Sequence, residues 1–229
     1  MGWKASTIII NKPNQVDNED LLKELGFKSL RRIEDEPFEV AINPGNKKVY
    51  LGFYRDNLLI CTPDLPMQFF EDSETQVEKF LKHKFPNSEI CSIILHSTVN
   101  LWGYSVIKNG QKIRARAGSA DDGTFVEFGE PLDEEKELLG KSKLDDKGNR
   151  IYLLDDFPEE PFDEDQVGEN FVFAICKRYF GEELDSADAL LFETIFIGYK
   201  YGKVGTTETN DTKKSQQKID NSKPWWKFW

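Results

Sequence analysis

Tyr104-Ser105-Val106-Ile107-Lys108-Asn109-Gly110-Gln111-Lys112-Ile113-Arg114-Ala115-Arg116-Ala117 decides the fold class. Two β-rich runs, Tyr104 to Ile107 and Ile113 to Ala117, flank Asn109-Gly110, a pair that tolerates the positive φ a tight turn between twisted strands demands. A second turn at Asp121-Asp122-Gly123 leads into Thr124 to Phe128, and the apolar run Ile90 to Leu95 stands just upstream. Four strands in succession without an intervening helix require antiparallel pairing, because parallel neighbours need a long crossover. The expected fold is α+β: a mixed, largely antiparallel sheet with a meander of hairpins packed by about three helices, not a doubly wound α/β sheet.

Towards the N-terminus, Ala5 to Asn11 reads as a first strand, and Asp17 or Asn18 caps a helix carrying Leu21, Leu22 and Leu25 before Gly26. Val49 to Tyr54 and Leu58 to Cys61 form a hairpin about Arg55-Asp56-Asn57. Ser73-x-x-Gln76 is a capping-box pattern, and the helix that follows, with Val77, Phe80 and Leu81, stops at Phe85 before Pro86. In the other direction, the stretch from Leu132 to Asp165 is rich in acids, glycine and proline. It reads as a long surface connection with Ile151 to Leu154 as its strand and with Phe157 and Phe162 pinning its acidic run to the body. Gln166 to Phe180 resumes a helix ended by Gly181, and Ala189 to Gly198 is the last strand of a single domain spanning residues 1–202.

Composition narrows the function classes. With 38% hydrophobic and 31% charged residues, and no apolar stretch near the roughly 18 residues of a spanning helix, the chain reads as globular and cytoplasmic. Thr7-Ile8-Ile9-Ile10 is too short for a secretory signal. Gly2 and Ser6 meet a loose myristoylation pattern, but the run after them reads as a buried strand. Cys61, Cys91 and Cys176 are odd in number and sit in apolar segments, as reduced core residues do. No phosphate-cradling glycine loop, His-x-x-x-His or Cys-x-x-Cys occurs, so neither a cofactor nor a metal site is expected. The acidic run Asp155 to Asp165 lacks the alternating ligands and turn glycine of a calcium loop. A net charge of −11 argues against nucleic acid, whose phosphates need a basic surface.

Three sets of residues are candidates for function. His96 and Ser97, with acids at Asp121, Asp122, Glu127 and Glu130, suggest a hydrolytic grouping, although adjacent strand positions point apart and no Gly-x-Ser-x-Gly elbow is present. Arg114 and Arg116 alternate with alanines and share one strand face, where they would either clamp a carboxylate or phosphate or, the stronger reading, pair with glutamates on a solvated face. The third is Pro224-Trp225-Trp226-Lys227-Phe228-Trp229, which holds three of the five tryptophans behind the polar linker 203–223. Each tryptophan left in water forgoes about 2 to 3 kcal/mol of burial free energy. The segment therefore reads as a docking peptide with Trp225, Trp226, Phe228 and Trp229 as anchors.

The chain also resembles an uncharacterised bacterial family with a domain of unknown function. The resemblance is carried by Met1-Gly2-x-Lys4, His96-Ser97-x-Val99, Trp102-Gly103-Tyr104, Asn109-Gly110-x-x-Ile113-Arg114, Asp122-Gly123 and Gly129-Glu130-Pro131. Pro161-Phe162, Gly168-Glu169 and Phe180 extend it, so that it covers Met1 to about Tyr201 and leaves out the aromatic tail. It implies a bacterial cytoplasmic single-domain protein and transfers no catalytic residue. The leading expectation is a non-enzymatic adaptor whose tail docks another protein, with weak contact to a membrane surface as a further use of the same rings. The alternative is a small hydrolase or transferase with a pocket near His96 and Arg114. A third reading folds the tail back into the body as core, where it would be structural.

Overall fold

The structure, a computed structural model, describes residues 2–204 apart from 147 and 156. The chain opens with β1 (Lys4–Asn11), whose Ile8, Ile9 and Ile10 are all buried because both faces of the sheet are covered. Asp17 caps α1 (Asn18–Glu24) by accepting the Asp20 N–H. Short strands β2 (Phe27–Lys28), β3 (Arg31–Arg32) and β4 (Glu36–Pro37) and the single-turn α2 (Phe38–Ala41) precede the hairpin β5 (Lys48–Tyr54) and β6 (Asn57–Cys61). A 3₁₀ turn, Pro66–Phe70, and α3 (Gln76–Lys84) lead to the meander β7 (Glu89–His96), β8 (Leu101–Lys108), β9 (Gln111–Ser119) and β10 (Gly123–Phe128). At the decisive hairpin Asn109 and Gly110 have φ of 51° and 71°, the conformation that their pairing in sequence indicated.

After the meander come α4 (Asp133–Gly140), a three-stranded sheet of β11 (Ser142–Leu144), β12 (Arg150–Leu153) and β13 (Pro161–Asp163), then α5 (Gly168–Phe180), β14 (Ile195–Lys200) and β15 (Lys203–Val204). The main sheet has the order β10-β9-β8-β7-β1-β6-β5-β14-β3, with β4 also on β14. Its pairs are antiparallel, which makes the fold α+β. One face presents Ile9, Leu59, Ile93, Trp102, Tyr104 and Val106 to α2 and α5. The other presents Ile8, Ile10, Leu58, Ile60, Ile90 and Ile94 to α1, α3 and the 3₁₀ turn. The period-two alternation of a strand thus builds two cores on one sheet.

The structure corrects several expectations. The stretch 132–165 is not a plain surface connection: acids in the first turn of α4 favour its dipole, Leu138 and Leu139 pack on the core, and β12 gains two partners. Phe162 does pack against the core, but Phe157 is exposed, its ring centroid 5.9 Å from that of Phe162. The capping box of α3 is Thr75 with Glu78, not Ser73 with Gln76, because Glu78 is also held by Lys112 of β9 at 2.7 Å. Ala189–Glu193 forms a π-helical turn, so the last long strand starts at Ile195. Lys203 and Val204, expected in the linker, pair with β2. The rest of the expected linker and the aromatic segment 224–229 lie outside the described residues.

Candidate functional site

Register decides which candidate residues meet. Across β7, β8 and β9, Leu95 faces Trp102, Ile93 faces Tyr104, Tyr104 faces Arg116 and Val106 faces Arg114. Partners in register share a face and neighbours in sequence do not. Arg114 and Arg116 therefore lie on the Trp102 face, whereas His96, next to Leu95, lies on the opposite one. The sheet itself separates the two halves of the expected hydrolase pocket.

Both arginines are almost wholly buried, at 1% and 2% exposure, rather than solvated. Arg114 Nε donates to the Glu135 carboxylate at 2.9 Å and 3.1 Å, and Nη2 donates to it at 2.7 Å. Its Nη1 donates to the Gly129 carbonyl at 2.7 Å and meets Glu127 at 2.6 Å. Arg116 is held by Glu127 at 2.6 Å and by Glu164, and its guanidinium lies 4.4 Å from the Phe171 ring centre and 5.4 Å from that of Trp102. Tyr152 donates to Glu164 at 2.8 Å and Thr124 donates to the same carboxylate at 2.7 Å. Burial would lower the Arg114 pKa, but the hydrogen bonds it donates to Glu135 outweigh this and hold the value above the ordinary one. The pair ties β9 to α4, β12 and α5; Arg116 Nη1 is buried without a hydrogen-bond partner among the described residues, but the remaining donors named here are taken up by internal groups.

Ser97 is likewise engaged. Its Oγ accepts the Trp3 N–H at 2.8 Å and donates to Glu169 at 2.8 Å, clipping the N-terminal segment to the first turn of α5. Of the acids named with His96, Asp122 bonds to Ser119 and Glu127 belongs to the arginine cluster. His96 instead borders a cleft of about 650 Å³ with Lys4, Ser6, Pro44, Pro63, Met67 and Leu101, where the acids are Asp64 and Glu71. Its Nδ1 is buried without a hydrogen-bond partner among the described residues. Asp64 stands at the rim, yet the surrounding walls desolvate it enough to push its carboxyl above the usual range. Nothing in the sequence linked Asp64 to His96. They meet because the segment after β6 returns past the end of β7.

A smaller cleft of about 450 Å³ lies beyond the 3₁₀ turn, but its Lys112 is held by Glu78 at 2.7 Å and by the Phe69 carbonyl at 2.8 Å, and its Lys82 pairs with Glu74. The three cysteines are buried, and burial raises the Cys61 thiol to about 12, which leaves it protonated at neutral pH. Among the described residues no group of three or more His, Cys, Asp or Glu is placed to hold a metal, and no helix is long and apolar enough to cross a membrane.

Fold and sites together define an antiparallel α+β protein whose strand-borne arginines are internal and whose open cleft, apolar-walled with acids at its rim, lies at the His96 edge. The chain belongs to the family of unknown function DUF6928, whose family model matches residues 11–187. No curated protein and no solved structure matches it.

Proposed function

We propose that this is a non-enzymatic cytoplasmic binding protein that docks another protein through Trp225, Trp226, Phe228 and Trp229. The observation that carries the reading is the placement of these four rings in the last five residues, behind some twenty nearly apolar-free positions. One feature of the body supports it. Val204, the last described residue, pairs with Phe27, so whatever follows it in the chain is attached to the body at a defined point. The competing hydrolase reading is weakened by the opposed faces of His96 and Arg114.

The test replaces the four rings with alanine in the full chain. Capture of a defined partner should be lost while the body still folds and unfolds cooperatively. Capture that survives the substitution would sink the proposal, and binding to anionic vesicles alone would redirect it to a membrane surface.

A further inference from the structure

We infer that the His96 cleft is a binding site for a basic, aromatic peptide and that its occupant, in the absence of a partner, is the chain's own segment 223–229. The inference rests on the partner-docking role proposed above and adds its regulation: the rings are stored on the body and released to the partner.

The cleft offers the complementary chemistry. Pro44, Pro63, Met67 and Leu101 supply apolar walls in a space of about 650 Å³, within the range of sites that accept drug-sized aromatic groups. Asp64 and Glu71 at the rim have no ion pair among the described residues, and they outnumber the cleft's one lysine, Lys4. Lys223-Pro224-Trp225-Trp226-Lys227-Phe228-Trp229 brings two ammonium groups for these carboxylates and three indole N–H donors for the same acceptors. Charge favours the encounter, since residues 203–229 hold six lysines against three acids and the remainder of the chain is strongly acidic.

The described chain also ends at the sheet edge that carries the cleft. The Tyr201 N–H donates to the Lys47 carbonyl just before β5, and β5 begins beside the end of β6 that leads to Pro63 and Asp64. Tyr201 packs on Phe27 with ring centroids 4.8 Å apart, and burial and then the charge of Asp64 push its phenol up to about 12. Eighteen residues separate Val204 from Lys223. Extended, they span about 60 Å, more than the breadth of a body with a radius of gyration of about 16 Å, so reach is not limiting.

The experiment compares tryptophan emission of the full chain with that of its full-length variant lacking the four rings, whose spectrum supplies the contribution of Trp3 and Trp102. The difference spectrum should be blue-shifted and shielded from acrylamide at all protein concentrations. Reversing the rim charges with Asp64→Lys and Glu71→Lys, both at exposed positions, should move it to the red and lower the unfolding temperature no further than removal of the four rings does. A blue shift that grows with protein concentration would assign the cleft to a second copy and overturn storage in cis. A blue shift indifferent to the rim reversal would place the rings elsewhere, and hydrated emission throughout would remove the latch. These failures leave partner docking standing, because it is judged by partner capture. Loss of the docking role would show as capture that survives removal of the rings.

Discussion

Glu135→Gln removes one negative charge from the most deeply buried ion pair while keeping the shape of the side chain. Glu135 is fully buried and Arg114 is 1% exposed. The substitution leaves the guanidinium with an amide in place of a carboxylate at Nε and Nη2, and with Glu127, itself half exposed, as its remaining counter-charge. Breaking a buried pair on one side costs roughly 3 to 5 kcal/mol, and the surviving contact with Glu127 argues for the lower end, about 3 kcal/mol. For a chain of this size that is a fall in Tm of about 6 to 12 °C. Glu127→Gln, by contrast, removes a carboxylate that water already screens and should cost about 1 kcal/mol or less. Urea titrations followed by far-UV circular dichroism give both numbers. Replacing both partners, Arg114→Met with Glu135→Leu, should cost less than Glu135→Gln alone, because no buried charge is left uncompensated. Equal costs for the two glutamine variants, or a double variant worse than the single one, would refute the argument that desolvation sets the value of this pair.

Gly168→Ala places a methyl group 2.0 to 2.3 Å from the Trp102 ring and should destabilise the fold by about 2 to 3 kcal/mol through overpacking, with an altered near-UV signal; an unchanged Tm would refute that packing. Thr75→Ala should cost about 1 kcal/mol by removing the cap of α3, and Ser73→Ala close to nothing; chemical denaturation separates them, and equal losses would put the cap in the wrong place. Burial would raise Glu89, but hydrogen bonds from Arg178 and Tyr179 prevail and hold it below its ordinary 4.5. Its stabilising contribution is therefore complete above that unfolded value and lost as pH falls through the lower folded one. The stability gap between wild type and Glu89→Gln should narrow on acidification below about pH 4.5, and a gap that widens would contradict the sign.

What the sequence made legible was local. Asn109-Gly110 announced its turn, alternation announced the strands on either side, and Asp17 or Asn18 marked the start of α1, where Asp17 is the cap, since each signal acts within a few residues. The features that escaped depend on partners distant in the chain. Asp133 to Gly140 looks like a solvated acidic stretch until Arg114, some twenty positions earlier, is seen to bury Glu135 and fix the first turn of α4. Ser73 and Thr75 both present capping patterns, and only the bond between Lys112 and Glu78 selects between them. The His96 cleft was half legible: His96 could be named, but Asp64, Glu71 and Met67 reach it by the return of the chain after β6.

The alternation Arg114-Ala115-Arg116-Ala117 explains how one strand serves both cores. The alanines face the 3₁₀ turn, where Ala117 joins the cluster containing Phe69 and Phe70, and small side chains let that turn approach the sheet. The arginines face the other way, beneath a layer built from the acidic part of the chain. That layer answers two positive charges with Glu127, Glu135 and Glu164 from three separate segments, β10, α4 and the turn after β13. A purely apolar contact would hold these segments by area, tolerating slippage along the strand; bidentate charge-assisted bonds hold them at fixed positions. The residues that most resembled a ligand clamp thus bind the protein's own acidic segments to the sheet.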